Sequence, residues 1–138
     1  MGITISERYP INLIDVVDNN YFLKGIYPLG LSSVFIGQFG LDQTQFSLNF
    51  HVYEKPEIEV KKWGVWGINY NVIVIHMLGA NVGDIKIQNW DSFTSAPLIC
   101  WSDGRKIFIS CNVEDQIFEI SCSELVFQNS STYILSGE

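Results

Sequence analysis

The spacing of apolar residues changes once along this chain. In the segment INLIDVVDNNYFLK, residues 11–24, Ile11, Ile14, Val17 and Tyr21 recur at a helical period, and Asn12 after Pro10 offers a cap. The spacing predicts one short helix there, although the β-branched Val16 and Val17 lose rotamer freedom on a helix. From Leu31 onward the period moves toward two. In QFSLNFHVY, Phe46, Leu48, Phe50 and Val52 share one face, while Ser47, Asn49, His51 and Tyr53 share the other. That alternation marks a strand with one side on a core. SSVFIGQF before it reads as a second strand, and the polar DQTQ between them predicts a hairpin.

Next comes EKPEIEVKKWGVWG, in which Pro56, Gly64 and Gly67 interrupt any continuous strand. A long connection crossing the sheet fits better. Trp63 and Trp66 are three apart and cannot share a strand face, so Trp63 is expected to anchor the connection inward, with Trp66 or Tyr70 reaching solvent. NVIVIHML follows, apolar on both faces, as a central strand should be. The remainder reads as a meander of DIKIQNW, PLICW, KIFISCN, QIFEISC, ELVFQ and STYIL, with a tight turn at Asp103–Gly104. The expected fold is mainly β, with α+β as the alternative: an antiparallel sheet, sandwiched or strongly curved, over residues 31–136. One N-terminal helix completes a single domain spanning 1–138.

Composition agrees with this reading. Nine Phe, six Tyr and four Trp occur beside many Ile and Val, whereas alanine stands only at Ala80 and Ala96. Cys100, Cys111 and Cys122 are odd in number, evenly spaced and without a CxxC pair. They are expected to be buried, unpaired and structural, not zinc ligands. The opening MGITISERYP carries Glu7 and Arg8 before any long apolar run, so no secretion signal is expected and the cytoplasm is the default location. Gly2 with Ser6 matches the minimal acylation pattern only formally.

Charge narrows the partners. Fifteen acidic residues against eight basic ones give a formal net charge of −7, the wrong sign for a nucleic-acid footprint or an anionic membrane. The run EDQIFEISCSE has no basic residue, and from residue 70 onward eight carboxylates face three basic side chains. A solvated face explains this most simply. The sharper reading is a docking face for a basic partner, formed by Asp91, Asp103, Glu114, Asp115 and Glu119, with Trp66 and Tyr70 as aromatic contacts.

Catalytic signatures are missing. HExxH, GxSxG, the P-loop and GxGxxG do not occur. His51 reads as a surface residue and His76 as a core or edge histidine with a satisfied hydrogen bond. A Cys–His pair is the remaining catalytic option. No cofactor, metal or catalytic residue is expected.

One resemblance runs from about Tyr21 to Leu135. A strand VFIGQF is followed by FSLNFHV, a Lys62–Trp63 pair, NVIVIHML after an Asn, DIKIQNW ending in Trp, KIFISC, QIFEISC and a final STYIL. In that order these elements resemble the bacterial immunity proteins encoded beside polymorphic toxins, in particular the immunity protein 50 family. The acidic EIEV and the three cysteines depart from the pattern. The resemblance implies a non-enzymatic protein that binds and neutralises a cognate toxin domain inside the producing cell. That toxin would be basic, and a nuclease is one form it could take. The family motif assigns no interface residues, because recognition must vary with the toxin. The competing class is a stand-alone β domain that holds a small molecule or catalyses a reaction.

Overall fold

The computed structural model describes residues 8–91 and 94–136. Gly2, Ser6 and Glu7 lie outside the described residues. The fold is mainly β with one short helix. Among the described residues ten strands pair as β1 (Tyr9–Pro10), β2 (Val17–Asp18), β3 (Ser33–Asp42), β4 (Gln45–Val52), β5 (Val72–Ala80), β6 (Ile85–Gln88), β7 (Ala96–Ser102), β8 (Ile107–Cys111), β9 (Ile117–Cys122) and β10 (Glu124–Tyr133). The order across the sheet is β2-β10-β5-β4-β3-β7-β8-β9-β6, with β1 beside β7. The strand pairs are antiparallel except β2 with β10, which makes the sheet mixed.

The hairpin forms as its alternation requires. Phe46, Leu48, Phe50 and Val52 are buried, and Ser47, Asn49 and His51 on the opposite face are partly exposed. Gln43 turns the chain with a φ of 62°. β5 lies between β4 and β10, and all four of its residues 72–75 are buried, which accounts for its two apolar faces. Where β5 crosses Phe46, the residue opposite is Gly79, and a methyl group there would overlap the Phe46 ring.

The helix is displaced from its expected place at residues 11–24. Asn12 does cap, its Oδ1 accepting from the Ile14 amide at 3.1 Å, but it caps a single 3-10 turn at Leu13–Val16. The chain then extends through Val17 and Asp18 to pair with Leu125 and Val126, and Asn19 takes a φ of 63°. Burial of Leu13, Ile14 and Val17 is achieved without a regular helix, so tertiary packing overrides the apparent period. The α-helix, α1, is Tyr21–Ile26, and Tyr21 is 90% exposed instead of facing the core.

The C-terminal run is not a plain meander. β7, β8 and β9 follow one another, but β6 pairs with β9. The segments ELVFQ and STYIL form one strand, β10, bulged between Phe127 and Asn129 and paired with β5 along its length. β3 joins the two parts of the sheet. Its Ser33 and Val34 pair with β7, whereas residues 38–42, beyond a bulge at Gly37, pair with β4 only, among the described residues. One core cluster includes Leu48, Phe50 and Ile75 together with Ile109, Phe118 and Cys122, and Phe39 meets Phe118 edge-on at 5.4 Å.

The connection between β4 and β5 is pinned to α1. The Glu57 amide donates to the Ile26 carbonyl at 2.7 Å, and the Tyr27 hydroxyl donates to the Glu54 carbonyl at 2.7 Å. Lys61–Trp63 makes one 3-10 turn, ended by Gly64 at a φ of 88°. No helix among the described residues is long and apolar enough to cross a membrane.

All three cysteines are free and buried. Burial pushes the thiols of Cys100 and Cys111 up to about 12 and that of Cys122 up to about 11, so little thiolate forms near neutral pH. The native protein should therefore resist alkylation at pH 8, and the denatured, unreduced protein should titrate three thiols. A single thiol after denaturation would reveal a disulfide and contradict this.

Candidate functional site

The five acidic residues do not form one patch. Glu114 and Asp115 sit at the tip of the β8–β9 turn, which is closed by reciprocal hydrogen bonds between Val113 and Gln116. Glu114 takes a φ of 53°, and both carboxylates are exposed. The Asn89 side-chain amide donates to the Asp115 carbonyl at 2.7 Å, tying the end of β6 to this turn. Asp91, exposed two residues beyond Asn89, belongs to the same end of the sheet. These three share one end of the sheet.

Asp103 and Glu119 are placed elsewhere. Asp103 occupies the β7–β8 turn at the other end of β8, where its Oδ1 accepts from the amides of Arg105 at 2.9 Å and Lys106 at 2.7 Å. Those amides, Lys106 first, hold its carboxyl below the usual carboxylate range. Its acid serves the turn. Glu119 lies mid-strand on β9, opposite Lys86, and its Oε2 accepts from the Asn112 side chain at 2.9 Å. It lines a half-open groove of about 430 Å³ with Arg8, Lys86, Trp101 and Phe108, where the Arg8 guanidinium stacks 3.8 Å over the Phe108 ring.

The aromatic pair divides differently from expectation. Tyr70 is only 1% exposed and does not reach solvent. Its ring receives Trp66 edge-on at 5.3 Å and Trp63 at 5.6 Å, and Trp63 in turn meets Phe22 at 5.6 Å. Trp63 and Trp66 are both half-buried against the core. Trp63 thus anchors the connection as expected, with Tyr70 as the deeper anchor. The surface here is made by Val65, 46% exposed, and Ile68, 72% exposed, which the sequence pattern did not single out.

His51 and His76 share the outer face of β4 and β5. His51 Nδ1 lies 2.8 Å from the Tyr133 hydroxyl, and its ring stacks on Phe35 at 4.4 Å. Burial, and secondarily His76, lower its pKa. His76 Nε2 lies 3.3 Å from Ser131 Oγ. Among the described residues no three His, Cys, Asp or Glu side chains are grouped to hold a metal ion.

A second cleft, about 380 Å³, was not foreseen. Gly37, Gln38 and Phe39 of β3 line one side, and Ile87 and Trp90 line the other. No family model, no curated protein and no solved structure matches this chain.

Proposed function

We propose that this protein is a non-enzymatic binder that neutralises a bacterial toxin domain by protein–protein contact, as its resemblance to the immunity protein 50 family implies. It would act in the cytoplasm of the cell that makes the toxin. The observation that carries this reading is that Asp91, Glu114 and Asp115 lie exposed at one end of the sheet. The only ion pair among the described residues is Lys24–Asp15, at 3.8 Å, so these acids are not neutralised by lysine or arginine of the chain itself. Asp103 and Glu119, held by the turn and by Asn112, contribute to the field more than to contact.

The sheet would present this end as a paired scaffold. We read its two parts as packed face to face, a sandwich or strongly curved sheet, from the ring contact of Phe39 with Phe118 and the shared core. The groove around Arg8, Lys86 and Glu119 favours the alternative, a small-molecule domain, but it is half-open and carries both charge signs, unlike a closed apolar cavity.

The test is the double reversal Glu114→Lys with Asp115→Lys. Both residues are exposed, so folding should be unaffected. Association with the toxin domain encoded by the adjacent gene should slow about tenfold at low salt, because such charges steer encounter. The penalty should shrink at high salt, where screening already weakens the attraction. An unchanged association rate at both salts would place the interface elsewhere.

A further inference from the structure

β6 is a strand with every residue exposed, and among the described residues it pairs on one side only, with β9. Its register shows what that exposure means. Ile85 stands opposite Ile120 and Ile87 opposite Phe118, both of which are core residues. Side chains on one face of a sheet alternate at period two. Ile85 and Ile87 therefore point to the core side, yet they remain 40% and 37% exposed. Trp90, packed against Phe118 with centroids at 5.6 Å, is likewise 37% exposed. The inner face of the sheet is left uncovered at this edge.

The opposite wall of the gap is another one-sided strand. Residues 38–42 of β3 pair with β4 and, among the described residues, with no strand on their other side. Gly37, Gln38 and Phe39 line the same 380 Å³ cleft as Ile87 and Trp90. Two strand edges and an apolar floor thus border one slot. A backbone edge of this kind is a template for another strand. A chain segment entering there would gain main-chain hydrogen bonds and bury alternate side chains.

Charge selects the occupant. At one end of the slot lie Asp42, which ends β3, and Asp84, which precedes β6. The hydrogen bond from the Val82 amide to the Thr44 carbonyl, at 3.0 Å, holds those two ends together. At the other end, Asp91 follows Trp90, and Asp115 is tied to Asn89. Lys86 is the one cation on β6, and its register places it on the outer face beside Glu119.

We propose that the slot between β6 and the distal half of β3 receives one extended, basic segment of a partner protein, which pairs with β6 as an added strand. Its apolar side chains cover Phe39, Ile87 and Trp90, and its basic ones meet the acids at both ends. This rests on the binder reading above and supplies its mode of contact.

The experiment follows backbone amide exchange by NMR in the full chain. Three probes are used: the acetylated and amidated hexapeptide KVKVKV, the same peptide N-methylated at alternate positions, and EVEVEV. KVKVKV should protect the amides of β6 that point away from β9, every second one in Ile85–Gln88. EVEVEV should bind at least about tenfold more weakly, since like charges oppose it. The N-methylated peptide should give no protection, because it cannot complete the ladder. Ile87→Lys, at a site already part-exposed, should weaken KVKVKV about tenfold by the same rule and leave the fold intact. Protection confined to the His51 face, equal binding of EVEVEV, or β6 protection that grows with protein concentration alone would each overturn the proposal; the last would identify a second copy as the occupant. The toxin domain of the adjacent gene serves as a fourth probe. Tight binding without β6 protection would reject the slot and keep the binder reading. Peptide protection without toxin binding would keep the slot and reject that reading.

Discussion

Tyr70→Ala is expected to destabilise the protein by about 3–5 kcal/mol, the usual cost of truncating a large buried aromatic, whereas Tyr70→Phe should leave it as stable or more so. The side chain is 1% exposed and receives the edges of both Trp63 and Trp66, so its removal opens a hole under the whole connection. Small domains have only about 5–15 kcal/mol in total, and such a loss is a large share of it. Trp63, half-buried, should cost less on truncation than Tyr70. The hydroxyl behaves differently from the ring. It is buried without a hydrogen-bond partner among the described residues, and burial is the main cause of its raised pKa, followed by Glu59. An unsatisfied buried hydroxyl costs about 1–3 kcal/mol, so deleting it removes a penalty and no bond. Urea denaturation midpoints check both changes. A Tyr70→Phe protein that unfolds markedly earlier would show that the hydroxyl is bonded after all.

The second large effect concerns Gly79 and Phe46. Gly79→Ala should cost about 1–3 kcal/mol by overpacking, because the added methyl group overlaps the Phe46 ring. That ring cannot swing aside freely, being 2% exposed and packed on Phe39 with centroids at 5.6 Å. Phe46→Ala alone should cost about 3–5 kcal/mol as a cavity. Combined with Gly79→Ala, the smaller Phe46→Leu side chain should relieve the overlap. The double variant should then be more stable than the sum of its parts by roughly 0.5–3 kcal/mol, the range for residues in direct contact. Strict additivity in thermal or urea unfolding would mean that the two positions do not press on each other.

These two sites mark where sequence reading succeeds and where it stops. Phe46 was legible because four apolar residues alternate through QFSLNFHV, and only one face of a strand can meet the core. The centrality of β5 was legible for a related reason, its two apolar faces. Tyr70 was not legible. It lies in an irregular connection, where no period states which way a side chain turns. The N-terminal helix was misplaced because Ile11, Ile14 and Val17 can be buried by a 3-10 turn and an extended pair as well as by a helix. The β10 strand was divided in two because the bulge between Phe127 and Asn129 shifts the alternation midway.

The acidic site was half legible. Charge and composition identify an excess of carboxylates, but not which end of a strand each occupies. The five residues of β8 lie between the turn of Asp103 and the turn of Glu114. At about 3.3 Å per residue, that separates the two turns by roughly 17 Å. Asp103 also resembles a free surface acid in sequence, although the Asp-Gly turn it starts needs its carboxylate for the amides of Arg105 and Lys106. The slot beside β6 was hidden for a different reason. An open edge is a property of strand order, and the pairing of β6 with β9 joins residues about thirty apart.

The proposed binding and silencing of a toxin can be decided by titration calorimetry of the purified protein with the product of the adjacent gene, proposed above to be that toxin, and by assay of the same mixtures for toxin activity. A one-to-one complex with a Kd below about 1 µM, corresponding to more than about 8 kcal/mol of binding free energy, is expected, with loss of toxin activity in step with occupancy. No heat of binding at tens of micromolar, together with undiminished toxin activity, would contradict it.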